Sequence, residues 1–154
     1  MGQMKIRKYR PEDVPAIKKL INSILKELGL SGTVDKAKDL NHMEEYFGEG
    51  GGFWVLTDDD TIVGTIGLHK IDDEDCYFCR FYLKKEYRGK RWGSKLWHHR
   101  QDFVSKLPYK RAYSSTHHCM KEAIHFYINH GYKRAKKPRL PTQWADLYFI
   151  KKLT

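Results

Sequence analysis

The stretch YRGKRWGSKL, residues 87–96, determines how this chain of 154 residues is interpreted. It follows the aromatic-rich segment Cys76 to Leu83, which is typical of a strand, and it precedes a pattern typical of a helix. The first N–H groups of a helix lack intrahelical acceptors, and the helix dipole is positive there. Gly89 lets the backbone approach a ligand closely. This turn therefore predicts a site for an anion of about pyrophosphate size, although an ordinary turn with solvated basic residues has the same composition.

The length and composition indicate one domain that spans residues 1–154. Hydrophobic residues make up 40% of the chain and charged residues 31%, as in soluble globular proteins. No apolar run approaches the ~20 residues of a membrane span, so we expect no membrane partner. The chain has three cysteines, an odd number that does not suggest a disulfide framework. We therefore expect reduced thiols and a cytoplasmic location.

The net charge of +10 is unevenly distributed along the chain. Residues 1–75 carry 10 Lys/Arg and 15 Asp/Glu, whereas residues 76–154 carry 19 and 4, so the net charges are −5 and +15. A basic half favours an anionic partner, which could be a nucleic acid, a membrane surface or a phosphorylated cofactor. Charge alone does not choose between these partners or exclude a merely solvated surface.

Hydrophobic periodicity and turn residues predict a chain of alternating strands and helices. The predicted order is β-α-α-β-β-β-α-β-α-β-β, which gives an α/β (α+β) fold with helices packed on a mixed sheet. The predicted strands cover residues 6–9, 53–57, 61–69, 76–83, 111–116, 132–135 and 146–151, and the helices cover residues 13–28, 35–47, 90–107 and 120–130.

Two motifs resemble those of the GCN5-related N-acetyltransferase (GNAT) family. Residues 88–94 resemble its acetyl-CoA signature, Gln/Arg-x-x-Gly-x-Gly/Ala. The segment AIHFYINHGY, residues 123–132, resembles its second motif, Ala-x-x-Phe-Tyr followed by Gly-Phe/Tyr. The strand Cys79 to Leu83 resembles the central strand of the family. The element order is similar over nearly the whole chain, which implies a mixed, mostly antiparallel sheet flanked by four helices.

The resemblance implies an enzyme that transfers the acetyl group of acetyl-CoA to a primary amine by direct attack. The acceptor would be a small molecule, a lysine side chain or an N-terminal amine. Tyr127 would be the general acid that protonates the CoA thiolate. A backbone N–H near Leu83 would polarise the thioester carbonyl. The residues implied to bind acetyl-CoA, the acyl donor, are Phe81, Tyr82, Leu83, Arg88, Gly89, Lys90, Arg91, Trp92, Gly93 and Ser94.

The chain departs from the family pattern at two positions. Arg91 stands where the first signature glycine is expected, so a positive φ would cost roughly 1 kcal/mol there. Alternatively, Arg91 keeps a negative φ and contacts phosphate directly. Met120 stands where many members have an asparagine, so a polar contact near the thiolate would be missing. Both departures bear on the affinity for acetyl-CoA.

The general base is not determined by the sequence. Many family members have a glutamate on the central strand, but the segment Cys76 to Leu83 contains no Asp or Glu. A water chain or bulk solvent could also accept the proton. The candidate side chains are His69, Glu74, Asp75, His117 and His118.

Arg80 is a candidate for binding a substrate carboxylate as a bidentate fork, because alternation places it on the face opposite Phe81 and Leu83. The more common alternative is an ion pair, for example with the acidic turn that precedes the strand.

A metal site is not expected. Cys76 and Cys79 form a C-x-x-C within a strand, so their side chains should point to opposite faces, whereas zinc knuckles need a turn between the paired ligands. His98 and His99 are adjacent on a helix and cannot share one face.

Two other functions remain open at this point. A nucleic-acid-binding module is suggested by basic residues interleaved with Tyr87, Trp92 and Trp97, but no nucleic-acid-binding signature accompanies them. A protein that binds CoA without catalysis would fit the departures at Arg91 and Met120. Within the enzyme hypothesis, the acidic first half and the loop Pro138 to Trp144 favour a cationic acceptor, and a homodimer is compatible with the fold.

Overall fold

The computed structural model of the chain describes residues 1–140 and 145–153. The strands are β1 (Met4–Lys8), β2 (Gly52–Asp58), β3 (Thr61–Lys70), β4 (Asp75–Leu83), β5 (Arg111–Thr116), β6 (Lys133–Ala135) and β7 (Leu147–Lys152). The helices are α1 (Val14–Glu27), α2 (Lys38–Asn41), α3 (Met43–Phe47), α4 (Trp92–Val104) and α5 (Lys121–Asn129). None of the helices in these two described ranges is long and apolar enough to cross a membrane.

All seven strands belong to one sheet, in the order β1-β2-β3-β4-β5-β7-β6. Every neighbouring pair is antiparallel except β4 and β5, which run parallel. This parallel pairing is short: it joins Asp75–Phe78 to Arg111–Ser114 and ends there, although β4 continues to Leu83. The two central strands therefore separate in the middle of the sheet, and the predicted mixed, mostly antiparallel sheet is confirmed.

Helices cover both faces of the sheet, and each face has its own hydrophobic core. On one face, α4 and α5 enclose a cluster that includes Phe78, Trp97 and Phe149. On the other face, α1, α2 and α3 enclose a cluster that includes Ile21, Phe53 and other buried residues. The gap between β4 and β5 therefore lies between two layers of packed helices.

A β-bulge lies on β4 just beyond the point where it leaves β5. Gly67 of β3 pairs with Cys79 and Thr65 pairs with Tyr82, so that two residues of β4 oppose one residue of β3. The bulged residue Arg80 has φ +53, an uncommon value for a non-glycine residue. The hydroxyl of Thr65 donates a hydrogen bond of 2.7 Å to the Arg80 carbonyl and fixes the bulge from the neighbouring strand.

The side chain of Arg80 ties the bulge to α2. Its Nε and Nη2 donate to the two carboxylate oxygens of Asp39, at 2.7 and 2.8 Å. The two side chains are only 12% and 9% exposed. Burial, the largest single effect, would lower the pKa of Arg80, but the hydrogen bonds to Asp39 and the attraction of its negative charge together raise it. The ion pair anticipated for Arg80 is present, with Asp39 as the partner instead of the acidic turn.

The predicted helix over residues 35–47 is wrong as one element, because the structure divides it into α2 and α3. His42 separates the two at φ −138 and ψ 56, outside the helical region. Just before this break, the side chain of Asn41 donates to the backbone carbonyl of Asp35. Such local bonds of asparagine compete with the helical hydrogen-bond pattern.

Helix α4 begins from a strained residue. Arg91 is its N-cap and has φ 68, so the positive φ considered from the sequence is confirmed. Its side chain makes no capping hydrogen bond. A left-handed conformation costs a non-glycine residue roughly 1–2 kcal/mol.

We predict that Arg91→Gly stabilises the protein by up to about 1 kcal/mol, because glycine removes the left-handed strain but adds entropy to the unfolded chain. Urea unfolding followed by circular dichroism measures the change. Arg91→Ala, which keeps the strain and removes the charge, is the matched control and should not stabilise. Equal effects of both substitutions would show that the strain is not the cause.

We predict that Asp39→Asn lowers the free energy of unfolding by about 3 kcal/mol, because it leaves the buried Arg80 cation without its counter-charge. Chemical unfolding of Asp39→Asn and of the double variant Asp39→Asn/Arg80→Met measures the effect. The double variant should lose less than the sum of the single losses, since it removes both charges. A loss below about 1 kcal/mol for Asp39→Asn would contradict a buried, coupled pair.

Candidate active site

Two clefts open where β4 and β5 separate. The first, here called the long groove, runs from the start of α4 past the C-terminal end of α1 to the start of α5, and it encloses about 1280 Å³. The second, here called the aromatic cleft, lies between β3, β4, β5 and the α2–α3 segment, and it encloses about 760 Å³. Both volumes include space that is open to solvent. The gap in the sheet therefore admits ligands from two sides.

The two clefts share one wall. Five residues border both of them, two from the bulged part of β4 and three from α5 and its N-cap: Phe81, Tyr82, Met120, Ala123 and Tyr127. A molecule in the long groove and a second molecule in the aromatic cleft can therefore meet at this wall. Such an arrangement suits the transfer of a group between two bound substrates.

The start of α4 forms the far end of the long groove and offers unpaired backbone N–H groups. The Lys95 N–H donates to the carbonyl of the N-cap Arg91 at 3.1 Å. The N–H groups that precede Lys95 in the first turn therefore have no acceptor within the helix. The side chains of Lys90, Arg91 and Lys95 are exposed around them. Free N–H groups, a positive helix end and exposed cations together fit a phosphate-bearing ligand.

Arg88 has a different role from the one predicted for it. Its N–H donates to the Lys85 carbonyl at 3.1 Å, and its Nε donates to the Leu83 carbonyl at 2.8 Å. Its guanidinium also forms an ion pair of 2.6 Å with Glu27 at the end of α1. Arg88 therefore links the turn, β4 and α1. Because its N–H is already bonded, the N–H groups left for a phosphate are those of the residues that follow it. A carbonyl has two lone pairs, so Leu83 can still accept another hydrogen bond.

Tyr127 lies in the shared wall with only 4% of its surface exposed. The helix α5 places it there, and the rings of Trp97, Phe126 and Phe149 surround it at centroid distances of 6.1, 6.2 and 5.6 Å. Burial raises the pKa of the Tyr127 phenol, and the buried cation of Arg100 lowers it only in part. The phenol therefore keeps its proton at neutral pH and can donate it.

Arg100 is a feature that sequence analysis missed. It lies on α4 with no exposed surface, and its guanidinium carbon is 3.1 Å from the Phe78 ring centre and 4.2 Å from that of Trp97. Within the described part of the chain, none of its three guanidinium nitrogens has a hydrogen-bond partner. Burial lowers its pKa to about 10, so it is still charged at neutral pH. It supplies positive potential beneath Tyr127.

The structure also places the candidates for a general base. Glu74 and Asp75 both form ion pairs with Arg111, at 3.1 and 2.6 Å. His118 hydrogen-bonds to Asp146, the residue immediately before β7. His117 likewise lies near Asp146, at 4.0 Å. Among these candidates, His69 is the one that lines the aromatic cleft.

The cysteines are arranged as predicted on the strand. Cys76 is buried in the core under α4 and α5, whereas Cys79 packs against the core under α1 to α3. Their side chains therefore lie on opposite faces of β4. Among the residues whose placement is described, no group of three or more His, Cys, Asp or Glu could hold a metal ion. Part of the Pro138 to Trp144 loop, residues 141–144, lies outside those residues.

Comparison with known proteins agrees with this geometry. A family model of the acetyltransferase (GNAT) domain matches residues 49–134. The chain is 26% identical to the uncharacterised N-acetyltransferase YjgM of Escherichia coli K12, over 83% of this chain and 81% of that protein. An acetyltransferase structure from Streptococcus agalactiae 2603 matches with a TM-score of 0.88 and 26% identity, covering 99% of this chain and 100% of that one.

A GNAT-family acetyltransferase structure from Staphylococcus aureus Mu50 matches with a TM-score of 0.85 and 25% identity, covering 99% of this chain and 100% of that one. The family match spans more than half of the chain and includes the bulged strand, the turn before α4 and Tyr127. The chain therefore belongs to the GNAT family of acetyltransferases.

Proposed function

We propose that this chain is a single-domain N-acetyltransferase that transfers the acetyl group of acetyl-CoA to a primary amine by direct attack. The observation that carries the proposal is the shared wall at Tyr127, where the long groove meets the aromatic cleft. The groove has free N–H groups at one end and a protonated phenol at the other. The GNAT relationship supports acetyl transfer as the reaction class.

The long groove is proposed to hold acetyl-CoA. The pyrophosphate would lie at the N–H groups of residues 89–94, with Lys90 and Arg91 adding charge. The backbone of Phe81 to Leu83 would bond the pantetheine arm, and an N–H in this segment would polarise the thioester carbonyl. The solved structure of PaiA N-acetyltransferase from Thermoplasma acidophilum, with a TM-score of 0.77 and 22% identity, is a complex with coenzyme A. It covers 97% of this chain and 99% of its own.

Tyr127 is proposed to be the general acid. When the C–S bond breaks, the sulfur gains negative charge, and a phenol within about 3 Å can protonate it. Burial makes the phenol a weak acid, which keeps the proton on the oxygen until the thiolate forms. The Arg100 cation stabilises the phenolate that remains. This role gives a function to a buried tyrosine that would otherwise be a packing residue.

The nucleic-acid-binding alternative is disfavoured by the positions of the aromatic rings. Trp97 is buried in the core with 3% exposure, so it cannot stack on a base. The hydroxyl of Tyr87 donates to Asp58 at 2.5 Å, which ties this ring to the β2–β3 turn. Base stacking needs exposed ring faces next to cations, and the buried Trp97 does not offer one.

We predict micromolar binding of acetyl-CoA, with only a modest loss of affinity between low and moderate salt. The reason is that backbone N–H groups, which salt screens less than exposed cations, provide much of the contact. Calorimetric titration at two salt concentrations measures it. Lys90→Ala should weaken binding a few-fold, whereas Lys106→Ala, an exposed cation beyond the other end of α4, should not. The absence of binding at either salt would contradict the proposed groove.

We predict that Tyr127→Phe lowers kcat by about 100-fold or more while acetyl-CoA affinity changes little, because only the donated proton is lost. Thiol release with a panel of amines measures kcat, and calorimetry measures the affinity. Phenylalanine preserves the packing of the ring against Trp97, and equal melting temperatures of the two proteins would verify this. An unchanged kcat would mean that Tyr127 is not the acid. A wild-type protein that binds acetyl-CoA but acetylates no amine would instead support a CoA-binding protein without catalysis.

A further inference from the structure

His69 lines the aromatic cleft, and one nitrogen of its ring is already hydrogen-bonded within the protein. It lies near the end of β3, pairs with Tyr77 of β4, and its ring lies beside that of Tyr46 at a centroid distance of 5.5 Å. Its Nδ1 is 2.8 Å from the backbone carbonyl oxygen of Tyr46 in α3. The α3 carbonyl and the neighbouring ring therefore hold the imidazole in a fixed orientation.

This hydrogen bond determines the tautomer of the imidazole. A carbonyl oxygen can only accept, so Nδ1 of His69 must carry the hydrogen in the bond to Tyr46. In the neutral ring, Nε2 then has a free lone pair. His69 thus presents a proton acceptor, and it does so on the wall of the aromatic cleft that a second substrate can enter.

The charged side chains of the same cleft cannot act as the base. Both carboxylate oxygens of Asp39 accept hydrogen bonds from Arg80, at 2.7 and 2.8 Å. Protonating Asp39 would break this nearly buried pair and leave the Arg80 cation unbalanced. The two formal charges of the cleft therefore neutralise each other and remain in place.

The remaining titratable groups on the described lining of the cleft hold their protons at neutral pH. Burial raises the pKa of the Cys79 thiol to about 12. Burial also raises the pKa of the phenols of Tyr46, Tyr77 and Tyr82 above the ordinary tyrosine value. A thiol or phenol in this state can donate a proton but does not accept one. Among these groups His69 is the suitable acceptor.

We propose that His69 is the general base of the acetyl transfer and that the aromatic cleft binds the acceptor amine, a primary amine on an uncharged, apolar or aromatic body. This proposal rests on the proposed function. As the amine nitrogen forms its bond to the thioester carbon, a proton on nitrogen passes to Nε2 of His69. The C–S bond breaks, and the sulfur takes the proton of Tyr127. Water then carries the proton from the imidazolium to the phenolate, so the products are the amide and the free thiol.

The acceptor class follows from the walls of the cleft. Six tyrosine and phenylalanine rings line it, from Tyr46, Phe47, Tyr77, Phe81, Tyr82 and Tyr127. Aromatic faces pack well against a flat apolar body. Because the Asp39–Arg80 pair has no free charge, a carboxylate or a second ammonium on the acceptor would lose hydration without finding a partner.

The acceptor class is tested with phenethylamine, spermidine and L-glutamate at equal concentrations, with thiol release as the readout. We expect kcat/KM for phenethylamine to exceed that of the other two at least 10-fold. A preference for spermidine or glutamate would overturn the acceptor class. If none of the three is acetylated although acetyl-CoA binds, the acceptor class is overturned, whereas the proposed function fails only if the wider amine panel gives no thiol release either.

The role of His69 is tested with His69→Asn, because the asparagine amide can still donate to the Tyr46 carbonyl but has no group at the position of Nε2. With the best acceptor of the panel, we expect kcat to fall about 100-fold or more. The affinity for acetyl-CoA and the melting temperature should stay unchanged. His98→Asn, at an exposed histidine on α4, is the control.

Two further results separate catalysis from a structural role. Added imidazole should restore part of the activity of His69→Ala, because it replaces the missing base. A long-range nitrogen–proton NMR spectrum of the wild type should show His69 with its proton on Nδ1. A His69→Asn enzyme that retains kcat would overturn the proposal. A proton on Nε2 in the neutral wild-type ring would also overturn it.

Discussion

The bulge at Arg80, and the separation of β4 from β5 that begins beside it, is the constraint on which the rest of the site depends. A strand that continued to pair with β5 would close the sheet and leave no gap for a ligand. The pairing ends at Phe78, and the hydroxyl of Thr65 and the carboxylate of Asp39 hold the bulge in place. Strain at a positive φ is thus kept by contacts from two other elements, as is common at functional sites.

Charge is used differently at the two ends of the site. At the start of α4, unpaired N–H groups and exposed cations face solvent and suit an anionic ligand. In the aromatic cleft, the Asp39–Arg80 pair is neutral as a unit, so proton transfer depends on uncharged groups. There the phenol of Tyr127 retains a proton because of burial, and the imidazole of His69 exposes a lone pair because of its bond to Tyr46. The lining of the cleft thus offers a protonated phenol and a neutral imidazole, which the proposed mechanism uses as acid and base.

Much of the fold could be predicted from the sequence, because hydrophobic periodicity and turn residues are local signals. The strand over residues 111–116 was predicted with the bounds that the structure has, and the start of α4 lies in the predicted turn. The positive φ of Arg91 was foreseen as an option because a motif position normally has glycine. The division of α2 from α3 was not foreseen, since no glycine or proline marks the break at His42.

The partners of the site residues could not be predicted, because they come from distant parts of the chain. Asp39 and Arg80 are 41 positions apart, and Glu27 and Arg88 are 61 positions apart. Arg100 was also missed, because it occupies a buried position on α4 at which hydrophobic periodicity predicts an apolar residue. His69 was one of five candidates for the base, and only the bond to Tyr46 and its place in the cleft distinguish it.

A structure of the protein bound to coenzyme A tests the central claim most directly, namely that the two clefts meet at a reaction centre beside Tyr127. We expect the pyrophosphate at the first turn of α4 and the sulfur at the shared wall, within about 3–4 Å of the Tyr127 hydroxyl. We also expect the aromatic cleft to remain open to a second ligand. A sulfur atom that lies away from this wall, or coenzyme A bound outside the long groove, would contradict the account.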